Sequence, residues 1–375
     1  MESPYNKVLA NYSSLKDIDF TCTPKLALDT FKAPKDAGSS ASGMILGTGD
    51  HTGIPVFVKI FAMPCNYRTF DTGTRVIQRK RIVFDKNALE IGITKFLSDL
   101  LMKSDPFTQN LVAVYKTRKC SSAFEPSDEL SSVKCNDKCI PYLISKAASK
   151  TPQHSLMSQY EQGQWDDQVN FMVVEHCDGD LEHLFNILAT SYKEGRISEE
   201  LFNANWNSIF LQIVLTIAML DEIFGGFHHN DLGPRNILFC KNDKYHNKYF
   251  EYKVKGTTFY IEDTGIIPKL WDFSYIHLNE HSSKMLKESG NFDYLRPDDV
   301  FETAITEKIP NIVQLCTQII TLPTFQYIEN TTTGTHIKAI SQRTNDDFNH
   351  YISLFNTFVP SKDHSVSEPP FSFSY

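Results

Sequence analysis

The chain has 375 residues, 41% hydrophobic and 22% charged. That balance excludes a mainly disordered, collagen-like or fibrous protein, and the length allows two lobes or one large domain with insertions. Its 37 Lys and Arg against 45 Asp and Glu give a net charge of −8, which disfavours wrapping of a polyanion, so nucleic acid is not an expected partner.

In chain order, residues 1–36 are mixed and punctuated by Pro, and read as an N-terminal extension. From Ala37 to Ala62, short apolar runs alternate with Gly-rich turns (GSSASGMILGTGDHTGIPVFVKIFA), the pattern of consecutive strands. The basic run Arg75, Arg79, Lys80, Arg81, with Lys86, reads as a solvated loop face. Asn87 to Lys103 carries apolar residues at 89, 93, 96, 97, 100 and 101, a helical stripe. Leu111 to Tyr115 reads as a strand, and 118–168 as a long polar insertion.

Phe171 to Val174 is a further strand, followed by a Gly-containing joint (CDGD) and a helical pattern from Leu181 to Tyr192. The strongest helix covers 205–224, with apolar positions recurring at three- and four-residue steps. Its apolar run, Ile209 to Leu220, is broken by Gln212 and Thr216 and is too short to span a bilayer. The opening, MESPYNKVLANYSS, lacks the layout of a signal peptide, so a cytoplasmic protein without a membrane span is expected. Residues 359–375 are rich in Ser and Pro and read as a flexible tail.

The eight cysteines are dispersed, which favours free thiols in a reducing compartment. Cys120, Cys135 and Cys139, with His154, have the ligand types of a structural zinc but the spacing of no common finger, and solvated loop thiols are the stronger reading.

Several residues carry chemistry. In His229-Asn230-Asp231-Leu232-Gly233-Pro234-Arg235-Asn236, an Asp and an Asn five apart on a loop that leads into a strand can face one site. The carboxylate can accept a proton from a hydroxyl, and the amide oxygen can coordinate a hard cation. Asp272, in KLWDFS, adds a second carboxylate at a strand end; alone it could cap a turn. Lys59 lies in an otherwise apolar strand, VFVKI, where its ammonium needs an anion such as Glu90 or a phosphate. The small-residue hairpin Gly38 to Ile45, with Gly43 near its end, could lie close over phosphates.

In this order (Gly-rich hairpin, strand Lys, helix Glu, hinge, HxDxxxxN, then DF) the chain resembles the eukaryotic-type protein kinases from about residue 37 to 300. The aromatic-rich insertion at about 241–266 (YKVKG, FYI, GIIPK) narrows the resemblance to the serine/threonine kinases of large nucleocytoplasmic DNA viruses. The resemblance implies an α+β, two-lobed fold: a β-rich N-lobe at 37–174 with one main helix, and a mainly helical C-lobe at 175–358. It also implies ATP and Mg²⁺ as cofactors, Ser/Thr hydroxyls of proteins as substrates, and the cytoplasm of an infected cell or the particle as location.

On this resemblance, Lys59 anchors ATP and Glu90 is its helix partner. Gly38, Gly43 and Ile45 cover the nucleotide, Val174 is the gatekeeper, Glu175 to Cys177 form the hinge, and Asp180 lies near the ribose. Asp231 is the catalytic aspartate, while Asn236 and Asp272 hold the metal. His229 is a buried scaffold residue against Phe273, and Asp293 to Asp298 matches an APE-like segment. The sequence departs from the pattern where Gly233 replaces the catalytic-loop lysine, Asn230 the arginine before the aspartate, and Ser274 the DFG glycine. Arg235 is then expected to reach the γ-phosphate, and the helix after residue 300 shows no clear aspartate. A pseudokinase scaffold and a small-molecule phosphotransferase are the rival readings.

Overall fold

The computed structural model describes residues 4–17, 32–39, 44–51, 53–70, 76–81, 86–102, 108–120, 165–241, 249–277, 279–290 and 308–355. Gly43, Cys135, Cys139, His154 and the APE-like segment lie outside them.

Helix α1 (Pro4–Leu15) opens the chain. An antiparallel sheet follows, made of β1 (Lys32–Ser39), β2 (Met44–His51), β3 (Ile54–Phe70), β4 (Val76–Arg81), β5 (Val114–Cys120) and β6 (Trp165–Glu175), in the order β1-β2-β3-β6-β5 with β4 on β3. The stretch read as an N-terminal extension thus contributes a helix and a strand. Val8 and Leu15 of α1 are buried, and Lys116 of β5 donates its ammonium to the Lys16 carbonyl at 2.8 Å. Arg79 to Arg81, expected in a loop, instead pair with Cys65 to Tyr67 across a hairpin. A charged run on a sheet edge satisfies its backbone in the ladder while its side chains carry no apolar alternation, so periodicity does not reveal it.

Helix α2 (Lys86–Leu101) is buried on two faces. Leu89, Ile93, Phe96 and Leu97 join the main core, whereas Ile91 packs with Phe61, Met172, Val174 and Trp271 under the sheet. One helix therefore links both clusters.

After β6 come β7 (Gly179–Asp180), α3 (Leu181–Lys193) and α4 (Glu199–Phe224). Helix α4 starts before the expected position because Ser198 caps it, accepting from Leu201 N. It ends at Gly225, whose left-handed φ of 64° suits glycine. By length and composition it could cross a membrane, and among the described residues only this helix could. However, 78% of its most apolar window is enclosed by the rest of the chain, as a core helix requires.

Strand β8 (Ile237–Lys241) pairs with β7 on one side and β11 (Ile266–Leu270) on the other in a three-stranded sheet, and β9 (Tyr249–Val254) and β10 (Thr257–Glu262) form a hairpin in the expected insertion. Its two-residue turn, Lys255-Gly256, has both φ values positive, which matches the right-handed strand twist. Alternation along β9 buries Phe250, Tyr252 and Val254 in the main core. Helices α5 (Glu280–Glu288), α6 (Asn311–Ile319), α7 (Thr332–Ser341) and α8 (Phe348–Phe355) complete a mixed α+β architecture.

Candidate active site

Antiparallel register places Lys59 of β3 between Leu46 and Met172 at the centre of the sheet. Its side chain is 1% exposed, and its ammonium donates to the fully buried Glu90 Oε1 of α2. The Trp271 and Phe61 rings lie 4.8 and 4.9 Å from Nζ. Glu90 Oε2 has no hydrogen-bond partner among the described residues. Burial pushes Glu90 up to about 7 despite the pull of Lys59, and the negative charge of Asp272 adds to the rise. The strand lysine, the helix glutamate and Asp272 therefore share one electrostatic neighbourhood.

Asp272 follows β11 in a left-handed backbone (φ 59°), a region that Asp and Asn enter more readily than other side chains. Ser274 Oγ donates to Asp272 Oδ1 at 2.7 Å, so the residue in the glycine position supports the carboxylate. Strand β11 is itself held from behind. Asn110 donates through Nδ2 to the Pro268 carbonyl (2.8 Å), and its own carbonyl accepts from Leu270 N (2.8 Å). Gln212 donates to the Ile266 carbonyl at 3.0 Å, and the buried Tyr252 hydroxyl donates to Asn110 Oδ1. The hairpin insertion thereby reaches the strand that delivers Asp272.

The loop after α4 approaches from the other side. Asn236 Nδ2 donates to the Asp231 carbonyl at 2.7 Å and to Asp231 Oδ2 at 2.8 Å. That orientation turns Asn236 Oδ1 away from Asp231. Asn236 also accepts from Trp271 N at 3.1 Å, and His229 Nε2 donates to the Trp271 carbonyl at 2.9 Å, so the loop and the Asp272 segment are stitched together. His229 is fully buried and packs on Phe273 at 5.2 Å. Burial lowers its pKa, against the opposing pull of Asp272 and Asp231, and keeps it neutral as a scaffold.

Three predicted residues are engaged locally. Asp180 caps α3, accepting from His183 N at 2.8 Å. The Glu175 side chain turns inward to Lys269 (3.0 Å) and Ala113 N (3.2 Å). Arg235, expected to aim at a phosphate, donates through Nε (2.6 Å) and Nη2 (3.0 Å) to Glu182 in the first turn of α3. That hydrogen bonding holds Glu182 below the usual carboxylate range. Gly38 and Ile45 lie near the free end of the β1–β2 hairpin, in register with Leu46 and Ile60.

Sequence reasoning missed a stripe of amides on α6. Asn311 accepts from His229 N (2.8 Å) and donates to the Phe227 carbonyl (2.7 Å). Gln314 accepts from Leu232 N (2.8 Å) and donates to the Asn230 carbonyl (3.0 Å). Gln318 fills the space beside Gly233, where a Cβ would fall 2.0 Å from its Oε1. Uncharged amides give no charge pattern to single them out, although the 311/314/318 spacing puts all three on one helical face. Asn230, with φ of 62°, donates to the Tyr275 carbonyl (3.0 Å) and accepts from Ile309 N (3.0 Å). It thus ties the loop directly to two neighbouring segments.

Among the described residues, no group of three or more His, Cys, Asp or Glu is arranged to hold a metal ion. Mg²⁺ does not need one, because one or two protein oxygens suffice when phosphates and water complete its shell. The second Asp272 oxygen and Asn236 Oδ1 fit that requirement.

No protein-family model matches the chain. Two proteins of Acanthamoeba polyphaga mimivirus do match. One, provisionally named serine/threonine-protein kinase R400, is 27% identical over 33% of this chain and 25% of its own length. The other, provisionally named serine/threonine-protein kinase R301, is 27% identical over 52% of this chain and 51% of its own. The chain thus spans between a quarter and half of these relatives. A solved structure, WaaP in complex with acyl carrier protein, aligns over 95% of each chain at 10% identity with a TM-score of 0.32, too low to carry an argument. The chain is similar in sequence to two mimivirus proteins provisionally named serine/threonine-protein kinases, which supports a kinase-like superfamily.

Proposed function

We propose that the chain is a kinase-like phosphotransferase that moves the γ-phosphoryl group of ATP to Ser or Thr hydroxyls of proteins. One observation supports the reading: Lys59, paired with Glu90, lies 4.8 Å from the Trp271 ring, and the Trp271 backbone, next to Asp272, bonds to His229 and Asn236 of the Asp231–Asn236 loop, although these residues are scattered over the sequence. In this reading the chain has two lobes, 37–174 and 175–358, with the nucleotide between them, and is a viral protein acting in the infected cytoplasm or the particle.

Lys59 holds the phosphates and is kept extended by Glu90. Asp272 and Asn236 hold Mg²⁺, which supplies charge neutralisation on the transferring phosphate. Asp231 orients the acceptor hydroxyl and takes its proton, while the Asn236 amide fixes the carboxylate. Glu175 to Cys177 lie along the base, Asp180 near the ribose, and Gly38, Gly43 and Ile45 over the phosphates. Positioning and electrostatics provide the rate.

A scaffold without catalysis is the second reading. It is favoured by the capture of Arg235 by Glu182 and by Gln318 filling the place beside Gly233. The deciding experiment incubates the chain with γ-labelled ATP and Mg²⁺ on generic proteins and on small hydroxyl compounds, beside Asp231→Asn. Label on protein that falls by about 100-fold to 10,000-fold in the variant is the expected result. No transfer supports the scaffold, and label on small compounds alone supports a small-molecule phosphotransferase.

A further inference from the structure

The joint between β6 and α3 carries one thiol, Cys177, and β8 beside it another, Cys240; neither sulfur takes part in the bond making and breaking of the proposed transfer. Cys177 follows the end of β6, and Cys240 sits on β8 in the neighbouring sheet. Both are free and half-buried. The Cys240 thiol points at Cys177 Sγ across 3.3 Å, with Glu175 Oε1 at 3.7 Å and the His176 carbonyl at 3.8 Å from its sulfur. The flanking backbone is already fixed on both sides. Asp178 N donates to the Phe239 carbonyl at 2.8 Å, Lys241 N donates to Asp178 Oδ2 at 2.7 Å, and Gly179 and Asp180 pair with Phe239 and Leu238. A disulfide needs the sulfurs to close from 3.3 Å to about 2.05 Å.

We propose that Cys177 and Cys240 form an oxidation-sensitive thiol pair, which a peroxide closes to an intrachain disulfide that pins the 175–180 joint to β8. The chemistry balances without another reductant. One thiolate sulfur attacks a peroxide oxygen, giving a sulfenic acid and releasing hydroxide. The second thiol then attacks that sulfur, its proton leaves with the sulfenic oxygen as water, and the S–S bond forms. In sum, two thiols and one hydrogen peroxide give one disulfide and two waters, the sulfurs losing two electrons to the peroxide. Cys177 is the sulfur oxidised first, because its partner thiol and burial hold Cys240 protonated. In a reducing compartment the pair rests as the dithiol seen here.

The pair adjoins the residues proposed to lie along the base, but its test reads thiol chemistry alone and so does not depend on phosphoryl transfer. The full chain is treated with hydrogen peroxide at several protein concentrations, the remaining thiols are alkylated, and cross-linked peptides are mapped without reduction by mass spectrometry. Expected are loss of alkylation at Cys177 and Cys240 together, a linked peptide pair two hydrogens lighter than its parts, and reversal by dithiothreitol. Hydrogen–deuterium exchange across 176–180 slows in the oxidised chain, and the buried Cys316 stays alkylatable after unfolding. Cys177→Ser and Cys240→Ser each remove the cross-link. Because the mapping is done on the unaltered chain, a variant that folds poorly leaves the test intact. Free alkylation of both thiols after peroxide, preferential pairing of either with another cysteine, or a cross-link that depends on protein concentration overturns the proposal.

Discussion

At the residue scale, the Lys59–Glu90 pair makes the sharpest demands. Both partners are buried, so removing one leaves a charge without a counter-ion in a low dielectric. Glu90→Ala should lower stability by about 3–5 kcal/mol, read from urea unfolding. The pair also has a pH signature. Burial raises Glu90 from the ordinary 4.5 to about 7, so protons bind the folded chain more tightly than the unfolded one across that window. Stability from this group is fully present below 4.5 and is lost as pH rises through about 7. The stability of the natural chain relative to Glu90→Gln should therefore fall from pH 5 to pH 8; a constant difference would contradict the assignment. Lys59 and the Asp231–Asn236 spacing were legible because each chemical role requires a particular residue type at a particular place in the order. The capture of Arg235 by Glu182 was not, since the two lie far apart in sequence and a surface pair leaves no pattern.

Elements obey a different logic. Helix α6 holds the catalytic-type loop through uncharged amides, and Asn311→Ala would strip the buried His229 N and Phe227 carbonyl of their partners. A loss of about 1–3 kcal/mol per group is expected in urea unfolding, with transfer activity falling alongside. Helix α7 offers a steric test. A Cβ at Gly334 would lie 2.0 Å from the Ile328 carbonyl oxygen, which is backbone and cannot swing away. Gly334→Ala should cost about 1–3 kcal/mol or more, with the thermal midpoint falling accordingly. The stripe of apolar residues announced α4, but its start at Glu199 was hidden because Glu199, Glu200, Asn203 and Asn205 interrupt the apolar recurrence ahead of Trp206, although Phe202 in the first turn is buried. The hairpin insertion was visible as β-forming residues; that it presses Tyr252 onto Asn110 behind β11 could not be read, because the contact joins positions far apart in the chain.

For the whole molecule, the α+β architecture follows from a six-stranded sheet with two smaller ones, one helix shared by two apolar clusters, and a buried central helix. In the proposed function this arrangement gathers Lys59, Glu90, Asp231, Asn236 and Asp272 about one magnesium-bound nucleotide. A ligand that binds only the folded chain raises stability by about 2.7 kcal/mol at one hundred times its dissociation constant, so occupancy can also be followed by the unfolding midpoint. Calorimetric titration of ATP, with and without Mg²⁺, into the natural chain, Lys59→Met and Asp272→Asn is the most direct test. One site per chain is expected, at least about tenfold weaker in Lys59→Met, with a gain from Mg²⁺ that disappears in Asp272→Asn. Binding that is absent in the natural chain, or that is unchanged by either substitution, would contradict the proposed function.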